Sequence, residues 1–134
     1  MKAISIHAYW AWAIIAGTKR FENRTWRTTY RGQLAIHCTK SKVADDLAIQ
    51  TISQAGIEPP SLEEIVQLRG KIIGTVDLVD VIEYDQHPEI HSDPFAVGPF
   101  CFVLEKPRRI QPTAARGLQR IWNTSSSIQL VTNV

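Results

Sequence analysis

The sequence has few cysteines and no segment typical of secretion or membrane insertion. Its two thiols, Cys38 and Cys101, each lie in an apolar stretch, which favours reduced core cysteines in a cytoplasmic protein over a disulfide framework. The opening MKAISIH reaches a histidine after six residues, and the apolar run YWAWAIIAG is too short and wrongly flanked for a signal peptide or a membrane span. We therefore expect no membrane partner.

A large excess of one charge, internal repeats and low-complexity tracts are also lacking. The chain has 15 Lys and Arg against 13 Asp and Glu, and its net charge of +2 permits an anionic partner without demanding one. The chain has no run of like charge long enough to indicate a disordered tail, and 44% of the residues are apolar. A chain of 134 residues with this composition predicts one folded domain over residues 1–134.

Several common catalytic and cofactor-binding motifs are missing as well. There is no glycine-rich phosphate loop, and Gly17-Thr18-Lys19 lacks the residues that precede the lysine of a P-loop. No Ser-His-Asp order typical of serine hydrolases is present. These absences disfavour nucleotide triphosphatases and serine hydrolases, and no cofactor is predicted.

Residues 17–31, GTKRFENRTWRTTYR, are instead rich in cations and aromatic rings. Five cations surround one acid, Glu22, although the whole chain is almost balanced in charge. Arginine and lysine side chains alternating with flat rings suit a ligand that carries phosphates and bases. The cations are Lys19, Arg20, Arg24, Arg27 and Arg31, and the rings are Phe21, Trp26 and Tyr30.

The hydrophobic pattern predicts an α+β fold. Strands are predicted over residues 3–6, 33–38, 71–84 and 100–105, with an extended segment over 20–27 and a short strand over 108–111 after Pro107 stops its predecessor. Helices are predicted over residues 8–16 and 41–55, and a third begins at the capping box formed by Ser61 and Glu64. Residues 85–98 are expected to form a polar loop, and the tail carries Trp122 and an apolar run over 128–131. With Gly74 marking a bend, this order favours a small, partly closed, mixed or antiparallel barrel with helices packed on one side.

The residues Gly17-Thr18-Lys19-Arg20-Phe21-Glu22-Asn23-Arg24 match the pattern Gly-x-Lys-x-x-Glu-x-Arg, which resembles the signature of ASCH domains, the activating signal cointegrator homology group of the PUA-like barrels. Further anchors in the same order extend the resemblance from Ser5 to Trp122. They are Ser5-Ile6, Trp10-Ala11, Trp26, Tyr30-Arg31-Gly32, Ile36-His37, Gly98-Pro99-Phe100-Cys101 and Leu104-Glu105.

This resemblance implies a PUA-like barrel with a cleft between the first helix and the barrel, and a function in RNA or nucleotide binding. Some similar proteins are enzymes, including an N4-acetylcytidine amidohydrolase and a reported ribonuclease. In the amidohydrolase branch a threonine nucleophile stands where this chain has Glu22, so that chemistry does not carry over directly. Ala8-Tyr9 replaces a common Gln-Pro pair, and Arg120 replaces a glycine, which predicts a different ligand.

The motif residues themselves favour binding over proton transfer. On a strand that begins at Arg20, alternation places Glu22, Arg24 and Trp26 on one face, and Lys19 can project into the same space from a turn. A carboxylate between two cations stays ionised and is a poor general acid, whereas the cations remain able to meet phosphate. The alternative is that Glu22 and Arg24 form a structural ion pair and the remaining arginines, Arg20, Arg27 and Arg31, are peripheral.

Four other positions have chemistry that could serve a site. Trp10 and Trp12 cannot face the same way on a helix, so at least one is expected in the core, and the resemblance implies that Trp10 is the candidate for the cleft. His7 precedes that helix and is predicted to cap it or to touch a ligand. His37 and Cys38 are adjacent on a strand and point to opposite faces, which predicts a hydrogen-bonded histidine and a buried thiol.

The loop Asp85-Gln86-His87-Pro88-Glu89-Ile90-His91-Ser92-Asp93 contains metal-ligand types, but Pro88 and Pro94 break any helix that would align its histidines. A solvated acidic loop explains the same residues, so no metal site is predicted. A third possibility is that the loop covers the cleft and supplies an acid.

The sequence thus supports three hypotheses. The first is a module that binds RNA, a nucleotide or a nucleoside through Lys19, Glu22, Arg24, Trp26, Trp10 and His7. The second is an enzyme acting on a modified nucleoside or an RNA phosphodiester, with Lys19 and an acid such as Glu22 or Asp77 as catalytic candidates. The third is a domain that binds an acidic protein partner with the same surface.

Overall fold

In the computed structural model, which describes residues 1–124, one mixed sheet curls into a half-barrel and three helices pack against it. The predicted α+β, PUA-like fold is confirmed. The strands are β1 (Lys2–Ile6), β2 (Phe21–Arg24), β3 (Gly32–Cys38), β4 (Lys71–Glu83), β5 (Phe100–Ala114) and β6 (Ile121–Asn123), and the helices are α1 (Ala8–Ile15), α2 (Asp45–Gln54) and α3 (Leu62–Leu68).

The strand order across the sheet is β2-β5-β4-β3-β1-β6. β1 and β3 run parallel, with Ile4 opposite Ile36, and each other neighbouring pair is antiparallel. The chain places α1 directly after β1 and the motif strand β2 at the far edge of the sheet. Arg24 at the end of β2 nevertheless reaches the Ser5 carbonyl oxygen of β1, and Lys19, just before β2, lies beside Trp10 of α1.

The first helix is almost entirely buried, as its composition predicts. Ile14 packs with Ile4, Leu34 and Phe102 in a core that α1 shares with the sheet. The helix stops at Ala16, and Gly17 then adopts a φ of +88°, a left-handed conformation that glycine accepts without strain.

The long pair β4 and β5 is irregular, and one prediction made from its prolines is wrong. Three register shifts interrupt the pairing, and one of them lies at Gly74, as expected. A Cβ at Gly74 would lie 2.5 Å from the Arg108 carbonyl oxygen and 2.5 Å from Ile15 Cδ1, so only glycine lets α1 and β5 approach this closely. Pro107 does not end the strand, because it lies in a second shift between the pairs Thr75–Arg108 and Asp77–Glu105, where no ladder donor is required.

The other two helices agree with the sequence in part. Ser61 caps α3, and its Oγ accepts a hydrogen bond from the Glu64 amide at 3.1 Å, as the capping box predicts. α2 begins at Asp45 rather than at residue 41, and it buries Ala48 and Ile52, whereas Leu47 is 63% exposed. Asp45 in the first turn of α2 forms a salt bridge of 2.7 Å with Arg69.

Three further expectations need correction. β2 ends at Arg24, so the extended segment predicted to residue 27 is shorter and Trp26 lies beyond the strand. The short strand β6 around Trp122, which pairs with β1, was not predicted. The predicted polar loop over 85–98 contains two short 3-10 turns and buries Phe95 and Ala96. The apolar run predicted over residues 128–131 lies outside the described residues.

Cys38 and Cys101 are both buried and unpaired, as predicted. Burial raises the pKa of the Cys38 thiol to about 12, which keeps it protonated and unreactive at neutral pH. Within residues 1–124, no helix has the length and apolar character needed to cross a membrane.

Candidate functional site

The motif after α1 forms a nearly buried cluster of charged side chains centred on Glu22. Its Oε2 accepts a hydrogen bond of 2.8 Å from Arg24 Nε, and its Oε1 lies 3.5 Å from Lys19 Nζ. Lys19 also donates a hydrogen bond to the carbonyl oxygen of Phe21. The predicted neighbours Lys19, Glu22 and Arg24 therefore do lie together, and the carboxylate bridges the two cations.

Lys19 is only 4% exposed and lies between two aromatic rings. Its ammonium is 5.0 Å from the centre of the Trp10 ring and 5.7 Å from that of Phe95. Burial lowers the pKa of Lys19, and the negative charge of Glu22 opposes this effect. The lysine is thus a desolvated amine in a charged and aromatic environment.

Arg24 stands between two cavities that share the residues Ser5, His7 and Thr39. Its Nη2 donates a hydrogen bond of 2.8 Å to the Ser5 carbonyl oxygen, which fixes the guanidinium between β2 and β1. We call these two neighbouring cavities the cleft, and Arg24 lines both of them.

The smaller cavity has a volume of about 450 Å³ and lies between α1 and residues 94–97. Trp10, Lys19, Glu22 and Phe95 line it. Asn23 of the motif holds the neighbouring loop, since its Nδ2 donates to the Phe95 carbonyl oxygen at 2.9 Å and its Oδ1 accepts from the Val97 amide at 2.8 Å. The end of the predicted polar loop is therefore a wall of the cleft.

The larger cavity has a volume of about 1330 Å³ and is strongly cationic. Four cations, Arg24, Lys40, Arg116 and Arg120, line it together with His7 and His37, and its described lining contains no Asp or Glu. In contrast, the chain as a whole is nearly neutral. The positive field is therefore concentrated in this concave surface.

Trp26 is the aromatic residue of the larger cavity. Its ring packs edge-to-face against the buried ring of Phe102, with 5.1 Å between the ring centres. The guanidinium of Arg120 lies 5.0 Å from the Trp26 ring centre and that of Arg24 lies 5.9 Å away. A half-buried indole with adjacent arginines provides a stacking surface beside positive charge.

The structure places His7 and the histidines of the predicted loop in specific contacts. His7 occupies the position before α1, but its side chain makes no capping hydrogen bond, so the capping alternative is wrong and contact with a ligand stays a prediction. Its Nδ1 lies 3.3 Å from Thr39 Oγ1, at the junction of the two cavities. His87 pairs with Glu89 at 2.9 Å, and His91 stacks on Tyr84.

Within residues 1–124, no group of three histidine, cysteine or acidic side chains is arranged to hold a metal ion. Asp93 from the loop does act electrostatically on Lys19. Asp77, the other acid considered for catalysis, lies on β4 and lines neither cavity.

Two of the arginines predicted to be peripheral form ion pairs outside the cleft. Arg27 pairs with Glu83 at 3.1 Å, and Arg31 pairs with Asp80 at 3.6 Å.

Sequence reasoning missed several residues that line the cleft. Phe95 was not predicted because it lies within the predicted polar loop, and Lys40 and Arg116 were not predicted because they belong to no recognisable motif. Arg116 and Arg120 do occur close together in the stretch ARGLQR, and a count of local charge would have marked it as a second basic segment. The fold brings this segment beside Trp26, which no local pattern shows.

Known proteins share the sequence family and the fold of this chain. The model of the family described as "ASCH domain" matches residues 4–112. Over 93% of its length the chain is 28% identical to human Activating signal cointegrator 1 and 26% identical to the mouse protein, and it spans about a fifth (22%) of the length of these curated relatives.

Solved structures with the same fold include that of ASCH from Zymomonas mobilis, with a TM-score of 0.60 and 14% identity over 92% of this chain and 87% of that one. A mutant form of the same protein gives a TM-score of 0.59 and 13% identity over 92% of this chain and 90% of that one. At this identity the likeness concerns the fold alone.

Proposed function

The chain belongs to the ASCH domain family, and from that premise we propose that its cleft binds single-stranded RNA. This family is generally considered to bind RNA. The observation that carries the proposal is the larger cavity, where four cations and Trp26 face the same space and the described lining contains no carboxylate. Such a surface attracts phosphates and offers a ring to stack on.

The size of the larger cavity favours a strand over a free nucleotide. Sites for single small molecules measure roughly 300–1,000 Å³, and the larger cavity of about 1330 Å³ exceeds that range. Arg116 and Arg120 are exposed and meet the phosphates, while one base stacks on Trp26. The smaller cavity of about 450 Å³, which Trp10 and Phe95 both line, has room for one further base.

A single strand fits the cleft better than a duplex does. Stacking on Trp26 and entry into the smaller cavity both require a base whose faces are free, which a paired and stacked base does not offer. The double-stranded form would present only phosphates to Arg116 and Arg120. We therefore expect a clear preference for single strands at equal charge.

The test is fluorescence anisotropy with a labelled oligouridylate and a variant Arg116→Gln/Arg120→Gln. If each arginine contacts one phosphate, the slope of log K against log salt becomes shallower by about 1.4, which is ~0.7 for each contact on a single strand. The matched control, Lys106→Gln/Arg108→Gln, removes two exposed cations of β5 that line neither part of the cleft. Equal losses in both variants, or wild-type binding that salt does not weaken, would contradict the proposal.

One observation favours hydrolysis as a second candidate function. Burial lowers the pKa of Lys19, and Glu22 lies 3.5 Å from its amine at the wall of the smaller cavity. A desolvated amine of this kind is suited to activating or orienting a nucleophile. The threonine that acts in the amidohydrolase branch is absent here, which places this candidate second.

Chromatography of an RNA and a panel of acylated cytidines after incubation with the protein separates the two candidates. A binding module leaves every compound intact. An enzyme converts at least one of them, and Lys19→Met abolishes the conversion while Lys42→Met, a change at an exposed lysine of the same charge, does not.

A further inference from the structure

Residues 115–120 form one wall of the larger cavity and connect β5 to β6. We call this stretch the arginine segment, because it carries Arg116 and Arg120. Residues 116–120 are all exposed, so the segment gains little from apolar burial. A stretch of this kind keeps one conformation only if hydrogen bonds or close contacts hold it.

The start of the arginine segment is fixed by two hydrogen bonds at Ala115. Its amide donates to the Gly70 carbonyl oxygen at 3.1 Å, and its carbonyl oxygen accepts from His37 Nε2 at 2.7 Å. Two residues later the backbone lies directly on the histidine. A Cβ at Gly117 would be 2.6 Å from His37 Cε1 and 2.7 Å from Ser5 Oγ, so only glycine allows the segment to lie flat there.

His37 belongs to a chain of hydrogen bonds whose two ends have fixed directions. Trp122 Nε1 lies 3.3 Å from Ser5 Oγ, which in turn lies 3.1 Å from His37 Nδ1. Because an indole only donates and a carbonyl only accepts, Trp122 donates to Ser5 Oγ and His37 Nε2 donates to the Ala115 carbonyl oxygen. Burial lowers the pKa of His37, which favours the neutral ring. In that form Nδ1 accepts a hydrogen bond from the Ser5 hydroxyl.

This chain of hydrogen bonds joins three parts of the fold that are far apart in sequence. Ser5 belongs to β1, His37 to β3 and Trp122 to β6, and each strand is rigidly paired in the sheet. The Trp122 and His37 rings also pack edge-to-face, with 5.7 Å between their centres. Side chains from other parts of the chain thus hold the arginine segment against the sheet.

We propose that Ser5, His37 and Trp122 are positioning residues that hold Arg116 and Arg120 in place to receive RNA phosphates. This inference rests on the proposed function of the cleft. A wall that is already ordered binds without the entropic cost of ordering a loop, which is how it raises affinity. The positioning residues act through the segment, and Arg116 and Arg120 themselves contact the ligand.

The first experiment needs no RNA and uses trypsin, which cleaves after arginine in mobile chain. In the wild type, cleavage after Arg116 and Arg120 is slow. It accelerates at least about tenfold in His37→Phe, which keeps the ring but loses both hydrogen bonds. His37→Gln retains a donor for Ala115 and restores most of the protection. Arg108 and Arg109 within β5 serve as internal reference sites whose cleavage stays slow.

A second variant tests whether faster cleavage in His37→Phe comes from displacement of the segment or from misfolding of the protein. Gly117→Ala leaves the three positioning residues intact but pushes the segment away from His37, because the new methyl group would overlap the ring. It too exposes Arg116 and Arg120 to trypsin. Unchanged cleavage in both variants overturns the inference, since the segment would then be held by something else.

The second experiment measures RNA binding by the same variants. His37→Phe and Gly117→Ala lose about tenfold in affinity at 0.15 M salt and flatten the salt slope by about 1.4, the values expected for two lost phosphate contacts. Adding Arg116→Gln/Arg120→Gln to either variant causes no further loss. Faster cleavage with unchanged affinity overturns this inference and leaves the proposed function standing, whereas wild-type protein that fails to bind RNA overturns both.

Discussion

The bridge between Lys19, Glu22 and Arg24 leads to a quantitative prediction about stability. Glu22 is 8% exposed and Lys19 is 4% exposed, so replacing the carboxylate in Glu22→Gln leaves a buried ammonium without its counter-charge. Breaking one partner of a buried pair costs roughly 3–5 kcal/mol. The glutamine oxygen still accepts a hydrogen bond from Arg24, so we expect the lower end, about 3 kcal/mol.

The variant Lys19→Met should cost much less. This change removes the Lys19 ammonium, and burial lowers the pKa of that group. Glu22 remains paired with Arg24 at 2.8 Å. The methionine also packs between Trp10 and Phe95, where a thioether is well accommodated. We expect a loss of about 1 kcal/mol, since the apolar replacement of a buried charge is often nearly neutral.

The double variant Lys19→Met/Glu22→Gln decides whether the two residues act as a pair. We expect it to lose at least about 1 kcal/mol less than the sum of the single losses, because the glutamine no longer faces an unpaired ammonium. Urea denaturation followed by tryptophan fluorescence measures the free energy of unfolding, and a loss of 1 kcal/mol corresponds to roughly 4 °C in Tm. Losses that simply add would refute the coupling, and a loss below about 0.5 kcal/mol for Glu22→Gln would refute the structural bridge.

Three further predictions concern local elements of the fold. Asn23→Ala removes the acceptor of the Val97 amide, so hydrogen exchange at that amide should accelerate while exchange within β4 does not change. Ser61→Ala should destabilise the protein by about 1 kcal/mol in urea, whereas the control Ser53→Ala on the exposed side of α2 should change it little. Burial lowers the pKa of His37 in the folded protein, so as the pH falls below 6.5 the unfolded chain takes up a proton first. The protein therefore loses stability between pH 6.5 and the lower pKa of the folded state. We expect this loss to be smaller in His37→Gln.

The sequence predicts best where a local pattern determines the structure. The helix stop at Gly17, the cap at Ser61 and the bend at Gly74 all depend on the backbone preferences of single residues or short motifs. The pairing of Glu22 with Arg24 follows from strand alternation over three residues. These features needed no knowledge of the rest of the chain.

The parts that could not be predicted depend on contacts distant in sequence. Pro107 normally ends a strand, and only the register shift opposite β4 allows β5 to continue to Ala114. That continuation carries Arg116 and Arg120 to the cleft, where Trp26 is already in place. The backbone at Phe95 is held by a hydrogen bond from Asn23, which is more than 70 residues earlier in the chain. Half of the candidate site is therefore a product of the sheet topology.

The most direct test of the account is the location of cross-links from a single-stranded oligonucleotide that contains 4-thiouridine. After irradiation and proteolysis, mass spectrometry identifies the cross-linked peptides. We expect them to map to Trp26 and to residues 115–120, and to disappear when unlabelled RNA competes. Cross-links confined to the exposed cations of β5, such as Lys106 and Arg108, would contradict the claim that the larger cavity is the RNA-binding site.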